Sequence, residues 1–468
     1  MSSAQSREVR SGMTEGPIAR TLFFFSIPIL LGNVLQTLNG SINAIWVGKL
    51  LGETALAATS NANFIMFFLI SAIFGIAMAA VILIGQNLGA QRISEAKKVV
   101  GTSTSFFLIT SIITGALGIL FSPLILKWLN TPPDAMAMAD IYTRIMFAGT
   151  PFMFGFNLFM AVLRGAGDSK TPFYFLLLAC VLDVGFNPLL ILGLGPFPEM
   201  GIAGSATATL VAQSISFALM VAYLYAKRYF LRLTRSELHL LRMDGQIVRV
   251  MIRKGLPMGF NMIIVSLSNL LLIFFVNAYG SEATAAFGVA NQISSYIQMP
   301  ALAIGGAVTS MAAINIGAGR WDRVSRITWN GIGFNVLLTG SLVVVLYLLN
   351  RAAVSLFLPE EGNAIELGMY INNVTLWSFI LFGIFNVMAS VVRAAGAVMV
   401  PLLVTFIALM IVRIPLAGVL SELYGFHAMW WCFPISFGLA ALLNAWYYRF
   451  GGWRKTQLLG KTERSPAT

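Results

Sequence analysis

The chain says nearly the same thing twice. Asn87-Leu88-Gly89-Ala90-Gln91-Arg92 recurs as Asn315-Ile316-Gly317-Ala318-Gly319-Arg320. Arg164-Gly165-Ala166-Gly167, followed by Pro172, recurs as Arg393-Ala394-Ala395-Gly396, followed at the same distance by Pro401. Pro28 and Glu53 have counterparts in Pro257 and Glu282. The offset between the copies changes by one residue along the chain, so a single insertion relates the halves. The repeated stretches border or lie in long apolar runs. Two matching membrane halves can rock about a site between them, as in many secondary transporters.

Composition agrees with a membrane location. Hydrophobic residues make up 58% of the chain and charged residues 10%, against roughly 25% charged in a soluble domain. The apolar runs are continuous rather than alternating, which predicts helices and not barrel strands. Spans are expected near 19–45, 56–86, 99–122, 139–163, 171–194, 201–226, 252–278, 284–314, 323–349, 369–392, 399–420 and 427–449. The expected fold is an all-α integral membrane protein, with 12 transmembrane helices in two pseudo-symmetric six-helix lobes. Residues 1–226 form an N-lobe, 227–251 a basic cytoplasmic linker, 252–450 a C-lobe and 451–468 a cytoplasmic tail.

The formal charge of +12 does not point to nucleic acid, because its distribution alternates. Most of the 30 Lys and Arg fall in the N-terminus, 87–98, 164–170, 227–254, 320–326 and the tail. The intervening loops hold Lys49, Lys127 and Arg351 with Glu53, Glu199, Glu282, Glu360, Glu361, Glu366 and Glu422. The positive-inside rule then predicts a multi-pass protein of the plasma (inner) membrane with both termini cytoplasmic. No cleavable signal peptide is expected, since the first apolar segment is too long for one. Cys180 and Cys432 both fall inside spans, so neither a disulfide framework nor a metal-ligand cluster is expected.

Within the spans, Asp183 is the most informative residue. It lies roughly 18 Å into its helix at 1.5 Å per residue, near the middle of a ~30 Å hydrocarbon core. An anion there is costly, so it must face a wet cavity, meet a partner or carry a proton. Such a group is a candidate ion carrier, or else a structural acid buried against another helix. Asn187 follows one turn later on the same face. Asn33, Gln36, Gly40 and Asn43 form a polar stripe on the first helix, and Ser205, Thr209, Gln213 and Ser216 form another on the sixth. Gln36, Asn43, Ser205 and Thr209 could complete a polar cluster around Asp183, or could only pack helices together. Asn157 could reach the same cavity. Met66, Phe67, Phe152 and Phe156 are candidates to line it, because methionine adapts its shape and aromatic faces attract cations. Pro28 removes an intrahelical hydrogen bond and makes a natural hinge. Arg413, the other charge within a span, reads as an anchor that snorkels or bonds helix ends. Trp430 and Trp431 read as markers of the outer interface.

Several segments resemble the multidrug and toxic compound extrusion (MATE) family. Ile42-Asn43-Ala44-Ile45-Trp46-Val47-Gly48-Lys49-Leu50-Leu51-Gly52 resembles the end of that family's first helix, which usually carries Asp at the position of Asn43. Leu163-Arg164-Gly165-Ala166-Gly167-Asp168-Ser169-Lys170-Thr171-Pro172 is similar to its loop between helices 4 and 5. Gly201-Ile202-Ala203-Gly204-Ser205-Ala206-Thr207-Ala208-Thr209 is similar to the start of its sixth helix, and Arg413-Ile414-Pro415-Leu416-Ala417 to its eleventh. The resemblance spans about residues 16–450. It implies an antiporter, not an enzyme, that exports amphipathic, often cationic, organic compounds or drugs in exchange for H⁺ or Na⁺. It also implies an ion site around Gln36, Asn43, Asp183 and Asn187. In the prokaryotic branch with an N-lobe ion site, the pair on the fifth helix usually reads Asn then Asp. Here it reads Asp183 then Asn187. Some branches place a Glu and an Asp in the C-lobe where this chain has Val265 and Phe382.

The expected activity is multidrug efflux coupled to H⁺ by alternating access, performed by a monomer in the lipid bilayer without a cofactor. Protonation of Asp183 is expected to rearrange the first helix near Pro28. Sodium coupling, with Na⁺ held at Asp183, is the first alternative. A flippase for lipid-linked precursors of related architecture is the second, although the spans offer little basic charge beyond Arg413.

Overall fold

The computed structural model describes residues 12–358 and 363–456. Glu360, Glu361, the first eleven residues and the tail from 457 lie outside the described residues. Among the described residues, ten helices are long and apolar enough to cross a membrane, and counting each of two bent pairs as one span gives twelve. In chain order these are α1 (Ile18–Leu51), α2 (Glu53–Gly89), α3 (Ile93–Trp128), the pair α4 (Pro133–Ala148) and α5 (Thr150–Gly165), α6 (Lys170–Leu192) and α7 (Ile202–Ala226). The second half repeats them as α8 (Gly245–Asn277), α9 (Ser281–Gly317), α10 (Trp321–Leu348), the pair α11 (Ala364–Thr375) and α12 (Ser378–Ala394), Met399–Tyr424 as α13 and Phe426–Phe450 as α14.

The bent pairs depart from the straight spans expected at 139–163 and 369–392. The first bends by 52° and the second by 43°, at matching places in the two repeats. Pro151 explains the first. It has no N–H for the Phe147 carbonyl, and the Thr150 hydroxyl donates to that carbonyl instead, at 2.7 Å. The second break has no proline. There Ser378 Oγ donates to the Thr375 carbonyl, which the bend releases since the Phe379 amide goes to Leu376 instead, and Thr375 Oγ1 shares the Ile371 carbonyl.

Two compact units emerge, and neither is a simple half of the chain. One contains Leu31–Leu256; the other contains Met13–Leu30 and the described residues from Pro257 onward. Helix α1 therefore changes unit two residues after Pro28, and α8 changes unit at Pro257. In the second unit, Arg323 Nη2 donates to the Gly16 carbonyl at 2.8 Å and Asn315 Nδ2 to the Met13 carbonyl at 3.1 Å, which fastens the start of α1 to α9 and α10. In the first unit, Gly255 allows the start of α8 to press on α2: a Cβ there would lie 2.5 Å from the Ile76 Cα. Asn315, which opens the second copy of the repeated motif, thus helps to hold the segment that leads into α1.

The basic linker is folded against α3. It carries a 3₁₀ helix, Arg235–Leu241, begun by a capping box in which Thr234 and Glu237 bond each other's backbone. Helix α8 starts seven residues earlier than the span expected at 252, because Asp244 caps it by accepting from the Gln246 and Ile247 amides. Lys97 pairs with Glu237 at 2.7 Å and Lys98 with Asp244 at 2.6 Å. Burial pushes the Glu237 carboxyl up, but hydrogen bonds from Lys97 and Thr234 outweigh it and hold its pKa down to about 2, against an ordinary 4.5. A depressed carboxylate contributes stability that is complete above its unfolded pKa and lost as pH falls through its folded one. Linker docking should therefore persist down to about pH 4.5 and loosen between there and about pH 2. Fluorescence anisotropy of a probe at position 239 would follow this, and Glu237→Gln should show the loosened state already at neutral pH.

Candidate functional site

Helices α1, α6 and α7 bring one carboxylate and four hydrogen-bond donors together inside the first unit. Asn39 and Asn43 stand one turn apart on α1, and Asp183 and Asn187 one turn apart on α6. Helix α7 can lie against α6 because Gly204 has no side chain. A Cβ there would overlap the Leu190 carbonyl and sit 2.8 Å from the Ile191 nitrogen. Further along this antiparallel pair, Thr209 arrives opposite Asp183.

Asp183 is buried, and Asn187 completely so. The Nδ2 groups of Asn39 and Asn43 each donate to Asp183 Oδ2 at 2.7 Å. Thr209 Oγ1 donates to Oδ1 at 2.9 Å, and Asn187 Nδ2 makes a longer contact with it at 3.4 Å. Asn187 Nδ2 also donates to Asn43 Oδ1 at 3.1 Å. An ionised carboxylate only accepts, and its two oxygens can take about four donors. All four places are filled here. The amides must turn their nitrogens toward Asp183, which leaves Asn39 Oδ1 and Asn187 Oδ1 buried without a hydrogen-bond partner. The site thus holds one anionic group and two orphaned carbonyl oxygens, an environment short of positive charge.

Asn43, Asp183, Asn187 and Thr209 meet in this cluster. Gln36 does not: it is exposed and donates nothing to Asp183. Ser205 is buried beside the cluster, but it takes part through its backbone carbonyl, which accepts from Thr209 at 3.4 Å. Asn157 turns back on its own helix, donating to the Met153 carbonyl at 2.9 Å. Met66 and Phe156 are buried, whereas Phe67 and Phe152 are exposed. Pro28 sits inside the unbroken α1. Gly40 faces open space, since a Cβ there would meet nothing. Asn39 is the member that the stripe on α1 misses. It lies 40° beyond Asn43 at 100° per residue, outside the arc that runs from Asn33 to Asn43. Its relation to Asn43, one full turn before it, was the available signal.

The second unit has a different interior. Phe382 and Val265 are apolar, and Phe382 packs among Phe379, Phe385 and Phe437. Asn261 donates to Thr405 Oγ1 at 2.7 Å, and Ser268 to the Leu409 carbonyl at 3.1 Å. Trp430 is fully buried and stacked on Phe287, while Trp431 is exposed. Arg164 and Arg393 serve their helix ends: Arg164 Nε donates to the Met160 carbonyl, and Arg393 Nη2 to Ser390 Oγ.

Arg413 does not snorkel. It ends a π-helical stretch, Ile407–Arg413, and is buried. Its guanidinium carbon lies 4.4 Å from the ring centres of both Phe433 and Phe437, and Nε donates to Ser436 Oγ at 2.9 Å. A buried charge held by aromatic faces can be exchanged for an apolar side chain of similar length at little cost, whereas truncation leaves a cavity. Arg413→Met should keep wild-type stability within about 1 kcal/mol and Arg413→Ala should lose about 3 kcal/mol, as measured by thermal unfolding in detergent.

A duplicated bundle of membrane-crossing helices, with a buried carboxylate caged by donors inside one unit, is the architecture of a membrane transporter. Sequence comparison gives the family: a profile described as MatE matches residues 28–189 and 257–419, one match in each repeat. The chain belongs to this family. The probable multidrug resistance protein YoeA of Bacillus subtilis is 37% identical over 98% of this chain and 99% of its own length. YpnP of the same organism, also described as a probable multidrug resistance protein, is 31% identical over 95% of this chain and 98% of its own length. The fold matches that of a multidrug resistance MATE family transporter in an outward-facing conformation, with a TM-score of 0.87 at 20% identity, over 95% of this chain and 98% of that one.

Proposed function

We propose that the protein is a secondary multidrug antiporter, exporting amphipathic organic cations by alternating access in exchange for H⁺ at Asp183. The observation that carries the reading is the saturation of a single buried carboxylate by donors from three helices. Both donors on Oδ2 come from α1. A proton placed on Oδ2 makes that oxygen a donor with less room to accept, so at least one of the Asn39 and Asn43 amides must withdraw or rotate. Protonation at one atom therefore loosens α1 from α6, and α1 is the helix that carries Pro28 and contributes to both units. An organic cation and a proton are alternatives at the same negative charge, which is the requirement for exchange. Multidrug names among the relatives support the substrate class.

The orphaned Asn39 Oδ1 and Asn187 Oδ1 favour one other reading, in which Na⁺ takes the place of the proton. Na⁺ needs oxygen ligands, and rotation of the Asn39 amide would supply one beside Asp183. Efflux of ethidium from right-side-out vesicles, driven in turn by an imposed proton gradient and an imposed sodium gradient, separates the two. Export that follows the proton gradient and stops with a protonophore is expected. Export driven by sodium alone would overturn proton coupling, and export driven by neither would overturn antiport.

A further inference from the structure

The linker on the basic side of the first unit forms a fixed cationic platform. Its two acids, Glu237 and Asp244, are both consumed by Lys97 and Lys98 of α3. None of the linker's own basic charge is neutralised by them. Anchoring goes further: Ser105 Oγ donates to the Leu241 carbonyl at 2.6 Å, and Gly101 lets the Leu240 backbone lie directly on α3, where a Cβ would overlap its carbonyl. Tyr229, Phe230, Leu231 and Leu233 are buried beneath. Held in this way, the segment turns Lys227, Arg228, Arg235 and Arg242 outward. Among them stand two exposed apolar side chains, Leu238 at 52% and Met243 at 44%.

Exposed guanidinium groups alternating with exposed apolar side chains, next to the ends of membrane-crossing helices, match one surface well. That surface is the headgroup layer, where apolar side chains reach the acyl boundary and basic ones meet phosphate. Surface lysines and arginines with nearby carboxylates would not need such a partner. Here the carboxylates point inward and are taken.

We infer that the linker is a binding site for anionic phospholipid headgroups in the adjoining leaflet, with Arg228, Arg235 and Arg242 as the phosphate ligands and Leu238 and Met243 as the apolar contacts. Its occupancy fastens the start of α8, and with it the point at Pro257 where that helix changes unit.

The test uses the full-length protein in neutral detergent, titrated with short-chain phosphatidylglycerol while its thermal unfolding midpoint is followed. A saturable rise in the midpoint is expected, with short-chain phosphatidylcholine and inorganic phosphate at the same concentrations giving none. Replacing Arg228, Arg235 and Arg242 together by Gln should weaken the apparent affinity at least about tenfold, and replacing all three by Lys should keep it. The rise should shrink as salt is added. Equal affinity in the triple Gln protein, or an equal rise with phosphatidylcholine, would overturn the assignment. A rise with inorganic phosphate alone would replace the lipid by a free anion.

Discussion

Asp183→Asn should abolish gradient-driven efflux, to less than about 1% of wild type, while leaving the protein folded. The substitution keeps the shape of the side chain and removes its charge, so the exchange of one cation for another has no site on which to occur. Its structural cost is small for a specific reason. The new carboxamide can keep its oxygen toward Thr209 and Asn187 and turn its nitrogen toward α1. There Asn39 can rotate and offer Oδ1, which is buried and unpartnered in the wild type. Of the two charge-assisted hydrogen bonds lost at Oδ2, each worth about 1.5–3 kcal/mol, one is partly offset by that new bond. Asp183→Ala offers no such repair, leaves four donors facing an empty space, and should destabilise the first unit strongly. Wild-type efflux from Asp183→Asn vesicles, with expression matched, would contradict the assignment of the exchange site.

Gly204→Val should remove both transport and a large part of the stability. The Gly204 position meets the Leu190–Ile191 backbone, with the Leu190 carbonyl carbon 2.5 Å from a built Cβ. Backbone cannot swing aside as a side chain does, so α7 must move off α6. Overpacking of this kind costs about 1–3 kcal/mol, with the Thr209 hydrogen bond to Asp183 lost besides. The unfolding midpoint should fall by several degrees, and efflux should fall with it. Gly204→Ala should show the same losses at a smaller size. A Gly204→Val protein with normal efflux would mean that the α6–α7 contact does not position the carboxylate.

The order of helices and the duplication were legible in the sequence, because apolar run length and repeated motifs depend on local composition alone. So was the pairing of Asp183 with Asn187 and Asn43, since a buried carboxylate seeks donors and one turn of helix fixes which residues share its face. The bends at Thr150-Pro151 and near Leu376 were not, since mean hydropathy runs straight through them. Asn39 was missed by a window on helix angle rather than by any lack of polarity. Trp430 shows the limit of composition: a tryptophan near a span end reads as interfacial, and only the packing of Phe287 against it puts it in the core. The partners of Arg413 are two phenylalanines one turn apart on α14, which no polar pattern announces. The exchange of helix ends between the units, at Pro28 and Pro257, depends on long-range packing that a one-dimensional reading does not contain.

The most direct test of Asp183 as the shared exchange site is a count of protons released when ethidium binds. Binding enthalpies of the purified protein would be compared in buffers of different ionisation enthalpy, for wild type and Asp183→Asn. Release of about one proton per bound ethidium is expected from the wild type, and none from the variant. The same release from both proteins, or none from the wild type, would contradict the assignment.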